Sequence, residues 1–272
     1  MNILDKIIAS KYREVAEKKQ LYPTLLLEKS LFFGNKCISL KEYVLRDDKF
    51  GIIAEFKRMS PSKGMINEFA DVEKVTIGYM QAGASALSIL TDEKYFGGSS
   101  KDLITARKFN FCPILRKDFI IDEYQIIEAK SIGADAILLI ASVLSVKDIK
   151  ILSDLAKSLG LEVLLELHDE SELDRITQHI DLVGTNSRNL KDFSVDINQS
   201  IILAGKIPNS IVKVAESGIG DTNTMLYLKK NGFNGFLIGE KFMQSMRPEL
   251  ACRDFIMDYK KKLQTEKAGT GC

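Results

Sequence analysis

Three features of the sequence predict a (β/α)₈ barrel. Short apolar or β-branched runs recur eight times and alternate with helical patterns, as parallel strands buried on both faces do. The stretches GASALSIL, GADAILLI and GFNGFLIG each place a glycine just before such a run, where a left-handed residue ends a helix. Eight units also suit a chain of 272 residues, because such barrels commonly take about 250. A doubly wound parallel sheet is the alternative, but it rarely needs eight such even units.

The eight predicted strands follow one another between residues 51 and 239. In chain order they are GIIAEF (51–56), SALSIL (85–90), PILR (113–116), DAILLI (135–140), EVLLEL (162–167), IDLVGT (180–185), IVKVAE (211–216) and GFLIG (235–239). The helical pattern between them is clearest where Ile149, Leu152 and Leu155 recur at spacings of three residues. We expect a single domain over 1–272, divided into an N-terminal helical extension (1–47), the barrel (48–258) and a disordered polar tail (259–272).

Charge and composition argue against several classes of function. Lys and Arg number 38 and Asp and Glu 37, a net charge of +1, which argues against nucleic acid or an anionic membrane as partner. No apolar run approaches the ~18 residues of a membrane span, and the N-terminus does not resemble a targeting segment, so we expect a cytoplasmic protein. The four cysteines and two histidines lack metal-binding spacing, so we expect reduced thiols and no metal.

Charged or polar side chains recur at the predicted carboxyl ends of the strands, where barrels of this class place their active sites. They are Glu55, Lys57, Arg58, Arg116, Lys117, Asp118, Glu166, Asn186, Arg188, Glu216 and Glu240. Glu55 and Lys57 are two residues apart and so face the same way from a strand, where such a pair could act as acid and base. Any one pair could equally be a structural ion pair. Burying so many charges for stability alone would be costly, which favours an active site.

Two glycine-containing segments follow the last two predicted strands and indicate a phosphate site. They are ESGIGD (216–221) and LIGEKF (237–242), at the position where barrels often bind phosphate through backbone N–H groups. Each glycine alone is more typical of a turn, but their joint location favours a phosphorylated small substrate. The polar segment SPSKG (60–64) could cover the mouth of the barrel. We interpret His168 as a loop or capping residue, since its position suggests no partner for nucleophilic catalysis.

The sequence resembles the indole-3-glycerol phosphate synthase family in segments that span the whole barrel. These segments are IAEFKRMSPSKG (53–64), SILTDEKYFGGS (88–99), PILRKDFIIDEYQIIEA (113–129), GADAILLI (133–140), LLELH (164–168), TNSRNL (185–190), VAESGI (214–219) and FLIGEKFM (236–243). The resemblance implies ring closure of 1-(2-carboxyphenylamino)-1-deoxyribulose 5-phosphate to indole-3-glycerol phosphate, with release of CO₂ and water, in tryptophan biosynthesis. It also implies a carboxy-lyase that needs no cofactor and no metal.

The resemblance further implies a role for individual residues. Lys117 matches the general acid of ring closure, and Glu166 matches the base. Lys57, helped by Glu55, matches the group that binds the substrate carboxylate and assists the loss of hydroxide. The division of roles between the two lysines stays open. The remaining implied residues are Asn186 and Ser217 as catalytic groups, and Ser60, Pro61, Phe96, Phe119, Leu138, Arg188, Leu190, Glu216, Gly218, Gly239 and Glu240 as substrate-binding groups.

Two other functions remain open from the sequence. A related phosphate-binding barrel isomerase would use a Cys/Asp or Asp/Asp pair, whereas this chain offers two lysines and a glutamate. A non-catalytic metabolite-binding barrel would be expected to lack one of the charged strand ends, and all are present here. The expected partner is a phosphorylated small molecule, with neither nucleic acid nor membrane. We expect a monomer and leave open an association with other enzymes of the tryptophan pathway.

Overall fold

A closed barrel of eight parallel strands forms the centre of the structure, a computed structural model that describes residues 2–189 and 193–269. The strands are β1 (Ile52–Phe56), β2 (Ala86–Leu90), β3 (Ile114–Lys117), β4 (Ala136–Ile140), β5 (Glu162–Leu167), β6 (Leu182–Asn186), β7 (Val212–Glu216) and β8 (Gly235–Ile238). Each strand pairs with the next along the chain, and β8 closes the barrel against β1, where Ile53 is in register with Leu237. Observed and predicted strand bounds differ by at most two residues. The predicted (β/α)₈ fold is therefore confirmed.

Helices surround the barrel and alternate with its strands. They are α1 (Ile3–Leu21), α2 (Thr24–Leu27), α3 (Leu40–Leu45), α4 (Val72–Ala82), α5 (Glu93–Phe96), α6 (Ser100–Phe109), α7 (Glu123–Ser131), α8 (Val146–Ser158), α9 (Ile197–Lys206), α10 (Thr222–Lys230), α11 (Glu240–Met243) and α12 (Pro248–Gly269). Between β5 and β6 the connection is a 3₁₀ helix, Glu170–Arg175. The three glycines of the repeated pattern, Gly83, Gly133 and Gly232, have φ angles of 105°, 93° and 89°, the left-handed conformation expected after a helix.

The core has two layers because strand residues alternate between the two faces of the barrel wall. One layer fills the barrel interior and includes Ile53, Leu164 and Leu182. The other lies between the strands and the outer helices, where Ala54, Phe56 and Val163 pack. The charged residues that share the inward direction lie nearer the carboxyl ends of the strands. The barrel interior is therefore apolar toward the amino ends of the strands and charged at their carboxyl ends.

The N-terminal extension packs on both ends of the barrel. In α1, Ile7 belongs to the interior layer, and in α3, Leu40 and Val44 do so too. Val44 meets the barrel at Gly235, where an added Cβ would lie 3.1 Å from a Val44 methyl group. On α1, Lys11 is fully buried and pairs with acidic side chains of the barrel. Apolar and ionic contacts together therefore hold the extension to the barrel.

The C-terminal region differs from the sequence prediction. We predict a disordered polar tail from Tyr259 onward, but α12 continues through Pro248–Gly269, and the last three residues lie outside the described part of the chain. Tyr259 is buried, and Leu263 packs against the outer layer of the core. Lys262 donates a hydrogen bond to Thr222 Oγ1 at 2.7 Å. A few such anchors keep a polar helix on the barrel, which composition alone does not reveal.

None of the helices in residues 2–189 and 193–269 is both long and apolar enough to cross a membrane.

Candidate active site

A cavity of about 640 Å³ opens at the carboxyl ends of the strands. It is lined by sixteen of the seventeen site residues predicted from the sequence, namely Glu55, Lys57, Ser60, Pro61, Phe96, Lys117, Phe119, Leu138, Glu166, Asn186, Arg188, Glu216, Ser217, Gly218, Gly239 and Glu240. The remaining one, Leu190, lies outside the described residues. Residues that are far apart in the sequence are thus brought to one mouth, as parallel strands of a barrel require.

Lys117 lies between two buried carboxylates at the floor of this cavity. Its Nζ is 3.1 Å from Glu166 Oε2 and 3.4 Å from Glu216 Oε2. Burial alone would lower the pKa of Lys117, but the negative charges of Glu166, Glu216 and Glu55 raise it above its usual range. Lys117 is therefore a charged ammonium at neutral pH and holds a proton inside the cavity.

The two carboxylates beside Lys117 differ in their surroundings. Burial tends to raise the pKa of Glu166, but the charge of Lys117 and a hydrogen bond from His168 hold that pKa well below its usual range. Burial and the charge of Glu166 raise the pKa of Glu216 to about 8, against the opposing effect of Lys117. Glu216 Oε1 is buried and has no hydrogen-bond partner among the described residues. At neutral pH the pair thus combines an ionised Glu166 with a protonated Glu216.

The second lysine, Lys57, directly follows strand β1 and pairs with a carboxylate of that strand. Lys57 Nζ lies 2.7 Å from Glu55 Oε1, which fits the prediction that residues 55 and 57 face the same way. Close packing holds Glu55 here, because a Cβ added to Gly239 would lie 2.5 Å from Oε1 of Glu55. Position 239 thus requires a glycine on grounds of space. A second ammonium is thereby fixed at the cavity, at the end of a different strand from that of Lys117.

Glu166 is held by three donors. Lys117 contacts its Oε2, while Asn186 Nδ2 and His168 Nε2 lie 3.0 and 2.8 Å from its Oε1. The interpretation of His168 as a loop or capping residue did not include this contact with Glu166. The signal was available, since residues two apart at a strand end face the same way, and His168 follows Glu166 by two. Sequence reasoning missed it because His168 lies just beyond the strand.

Backbone geometry distinguishes the segment after β7. Ser217 and Gly218 have φ angles of 67° and 75°, and for serine this left-handed conformation carries a strain of about 1 kcal/mol. Within residues 2–189 and 193–269, the backbone N–H groups of both residues lack a hydrogen-bond partner. Nearby, Glu240 begins α11 and accepts from Arg188 at 2.9 Å and from Lys63 at 3.5 Å. Backbone donors and two cations are thus available for an anion at this end of the cavity.

The opposite wall of the cavity is apolar. Phe96 and Phe119 pack with ring centroids 5.8 Å apart, and Leu138 also lines this side of the interior. Three residues of α1, Ile3, Leu4 and Ile7, line the same cavity and were not predicted from the sequence. Nothing in the sequence of the extension shows where on the barrel it docks. The cavity therefore combines an apolar wall with a charged floor, which suits a ligand that has both characters.

Comparison with known proteins identifies the family to which the chain belongs. The family model described as indole-3-glycerol phosphate synthase matches residues 4–258. The chain belongs to the indole-3-glycerol phosphate synthase family. This confirms the family and the enzyme class predicted from the sequence.

Relatives named indole-3-glycerol phosphate synthase match the chain over most of its length. One from Bacteroides thetaiotaomicron is 49% identical over 255 residues, which cover 94% of this chain and 98% of the relative. Another, from Campylobacter jejuni subsp. doylei, is 43% identical over 247 residues, covering 89% and 95%. Each match is long enough to span all eight strands of the barrel.

Solved structures of other barrels share the fold at low sequence identity. A chain of the tryptophan synthase complex of Pyrococcus furiosus superposes with a TM-score of 0.58 at 13% identity, covering 79% of this chain and 99% of that one. Thiamine phosphate pyrophosphorylase from the same organism gives a TM-score of 0.56 at 15% identity, covering 78% and 98%. At these identities the likeness shows only the barrel fold of the indole-3-glycerol phosphate synthase family.

Proposed function

We propose that this cavity converts 1-(2-carboxyphenylamino)-1-deoxyribulose 5-phosphate into indole-3-glycerol phosphate, CO₂ and water, with Lys117, Glu166 and Lys57 as the proton-handling groups. The placement of the Lys117 ammonium between Glu166 and Glu216 carries this proposal, because it provides an acid and a base side by side at the cavity floor. The second ammonium, Lys57, supplies the additional acid that a two-stage reaction needs.

Ring closure needs an acid at the ketone of the substrate. The ring carbon that carries the carboxylate attacks the ketone carbon, and a new carbon–carbon bond forms while the ketone oxygen gains the electron pair. Lys117 donates its proton to that oxygen, which becomes a hydroxyl group. The carboxylate then leaves as CO₂, and its bonding electrons restore the aromatic ring. The carboxylates around Lys117 keep it charged until the oxygen becomes basic enough to take the proton.

Dehydration then needs a base and an acid on different groups. Glu166 removes a proton from the ring CH₂ beside nitrogen, and these electrons form the carbon–carbon double bond of the indole. The hydroxyl group leaves as water after it takes a proton from Lys57, which Glu55 holds in place. Glu166 suits the base because it is ionised at neutral pH, its pKa being held low by Lys117 and His168 against the effect of burial. An exchange of the two lysine roles would use the same groups.

Binding divides between the two ends of the cavity. We assign the phosphate to Ser217, Gly218, Gly239 and Glu240, whose backbone N–H groups suit an anion, with Ser60 nearby. The apolar wall of Phe96, Phe119, Leu138 and Pro61 suits the anthranilate ring, and Leu190, assigned with it, stays a prediction. The cations Lys57 and Arg188 suit the substrate carboxylate, Asn186 holds the base Glu166, and Glu216 suits the substrate hydroxyl groups.

Catalysis without metal or cofactor, the monomeric state, cytoplasmic location and any association with other pathway enzymes also remain predictions.

Product formation tests the proposal directly. Purified protein with EDTA and the carboxyphenylamino-deoxyribulose phosphate should develop indole fluorescence. Glu166→Gln should lower turnover by about 10²-fold, because the neutral amide cannot take the proton. Glu170→Gln is the matched control and should leave turnover unchanged, since this side chain is exposed and pairs with Lys206 away from the cavity.

Three results would contradict the proposal in different ways. Wild-type protein that binds the substrate without product would indicate the non-catalytic metabolite-binding barrel. Lack of binding would contradict the assigned substrate. Full turnover by Glu166→Gln would remove Glu166 from the mechanism while leaving the reaction in place.

A further inference from the structure

His168 contacts the proposed base without lining the substrate cavity. Its Nε2 lies 2.8 Å from Glu166 Oε1, and it is not among the residues that line the cavity. A carboxylate can only accept hydrogen bonds, so the nitrogen that faces Glu166 carries a proton. His168 therefore contacts Glu166 from outside the cavity. Its effect on a bound substrate would be transmitted by that carboxylate.

The contacts of Glu166 are divided between its two oxygens. Oε1 accepts from His168 and Asn186, whereas Oε2 accepts from the ammonium of Lys117. Under the proposed mechanism, Lys117 gives up its proton during ring closure, and Oε2 then loses its charged partner. The two bonds at Oε1 remain and still fix the carboxylate. We propose that His168 is a positioning residue that holds Oε1 of Glu166, so that Oε2 stays directed at the reacting atoms when Lys117 becomes neutral.

The position of His168 is itself fixed by the loop after β5. The backbone N–H of His168 donates to Glu172 Oε2 at 2.7 Å, and Glu172 is buried in the 3₁₀ helix that follows. That helix is anchored in turn by Arg175, which donates to the carbonyl of Ala141. These contacts of the 3₁₀ helix fix the backbone of His168 and so keep its imidazole next to Glu166.

Charges around the imidazole favour its protonated form. Burial alone would lower the pKa of His168, but the hydrogen bond and charge of Glu166 raise it, as does the charge of Glu172. The Lys117 ammonium contacts the other oxygen of the same Glu166 carboxylate, at 3.1 Å. An imidazolium would keep Glu166 ionised after Lys117 has lost its charge, which is what the dehydration stage requires. This inference rests on the proposed function, because it assigns Glu166 as the base.

Steady-state kinetics across pH separates a positioning role from a merely structural one. His168→Leu should lower kcat by about tenfold or more with a much smaller change in KM, since the substrate does not touch this residue. The acidic limb of the kcat profile should move up by about one pH unit, because Glu166 loses a partner of its ionised form. His168→Gln, which keeps a donor near the position of Nε2, should recover a large part of kcat. The control is His179→Gln, since the chain has only two histidines and His179 pairs with Asp154 on the surface.

A titration of the unaltered site gives an answer even where His168→Leu fails to fold. In the His179→Gln background the imidazole NMR signals come from His168 alone. Its midpoint should lie above the ordinary value of 6.5 and fall when Glu166→Gln is added. Wild-type kcat and an unshifted profile in His168→Leu, or a midpoint that ignores Glu166→Gln, would overturn the inference. Failure of the wild-type protein to form product would instead contradict the proposed function, so the two failures are distinguishable.

Discussion

Two networks of charged side chains meet at the end of strand β3 and contrast in how completely they are satisfied. The cavity network consists of Glu55, Lys57, Lys117, Glu166 and Glu216, and the clamp network of Lys11, Asp92, Arg116, Asp118 and Glu128. Adjacent residues of one segment serve different networks, since Lys117 belongs to the first and its two neighbours to the second. Side chains of successive strand residues point to opposite faces, which separates the two networks over a short distance.

The clamp network is saturated. The Arg116 guanidinium donates to Thr91, to the Gln125 carbonyl, to Asp118 and to Glu128, at distances from 2.5 to 3.1 Å. Lys11 of α1 lies 2.9 Å from both Asp92 and Asp118. Every charge therefore has an opposite partner, which is the condition under which buried ions are tolerated. This network ties the N-terminal extension to the barrel.

The cavity network is left incomplete. Like the clamp network it sets three carboxyl groups against two cations, but here Glu216 Oε1 lacks a hydrogen-bond partner among the described residues. A buried polar atom without a partner costs about 1–3 kcal/mol, so the fold gives up stability here. Glu216 itself lines the cavity, so its carboxyl group lies beside the space for a ligand. The contrast indicates that completeness of pairing separates the charges of this chain that stabilise from those that react.

Removing Lys117 should have the largest effect on activity and a small effect on stability. Lys117→Met removes the proposed acid, and kcat should fall by about 10²–10⁴-fold. Water in the open cavity and a proton shared by Glu166 and Glu216 can compensate the lost charge, so the thermal midpoint should change little. Product fluorescence and thermal unfolding measure the two effects. A variant that loses more stability than Lys11→Met would contradict the contrast between the networks.

Removing Lys11 should give the opposite result. Lys11→Met leaves Asp92 and Asp118 without their shared cation in a dry site, and should cost about 3 kcal/mol of unfolding free energy. Turnover of the folded protein should stay within about tenfold of wild type. Lys6→Met, on an exposed position of the same helix, is the control and should change neither property.

The pH dependence of the stability lost in Lys11→Met tests whether that loss arises from the Asp118 carboxylate. Burial works to raise the pKa of Asp118, but the charges of Lys11 and Arg116 hold it far below its usual range. A depressed carboxyl pKa contributes stability that is present above the unfolded value, about pH 4, and is lost as the pH falls. The stability difference between wild type and Lys11→Met should therefore be largest at neutral pH and shrink in acid. Denaturant unfolding at several pH values measures it, and a pH-independent difference would place the loss elsewhere.

Local sequence patterns predicted the barrel and most of the site. They did not predict contacts between segments that are distant in the sequence. The strand containing Glu55 is readable from a run of apolar residues, and the direction of Lys57 follows from its spacing. By contrast, the sequence around Lys11 shows only an ordinary helix, and its burial depends on where α1 meets Asp92 and Asp118. Likewise, the cavity-lining role of Ile7 depends on the same docking. Such contacts join residues about a hundred positions apart, for which one sequence holds no local signal.

Glu216→Gln should have the smallest effect on turnover. It tests whether Glu216 is neutral in the folded protein. Burial and the charge of Glu166 raise the pKa of Glu216 to about 8, so the side chain is mostly neutral at pH 7 and an amide resembles it. Turnover at pH 7 should fall by no more than about tenfold. A carboxyl group with a raised pKa contributes stability that is full below its unfolded value of 4.5 and is lost as the pH rises to about 8. The thermal midpoint of the variant should consequently depend less on pH than that of wild type between these values. Equal slopes for the two proteins would show that Glu216 is ionised in the folded state, and the cavity network would then be more fully charged than its pairing indicates.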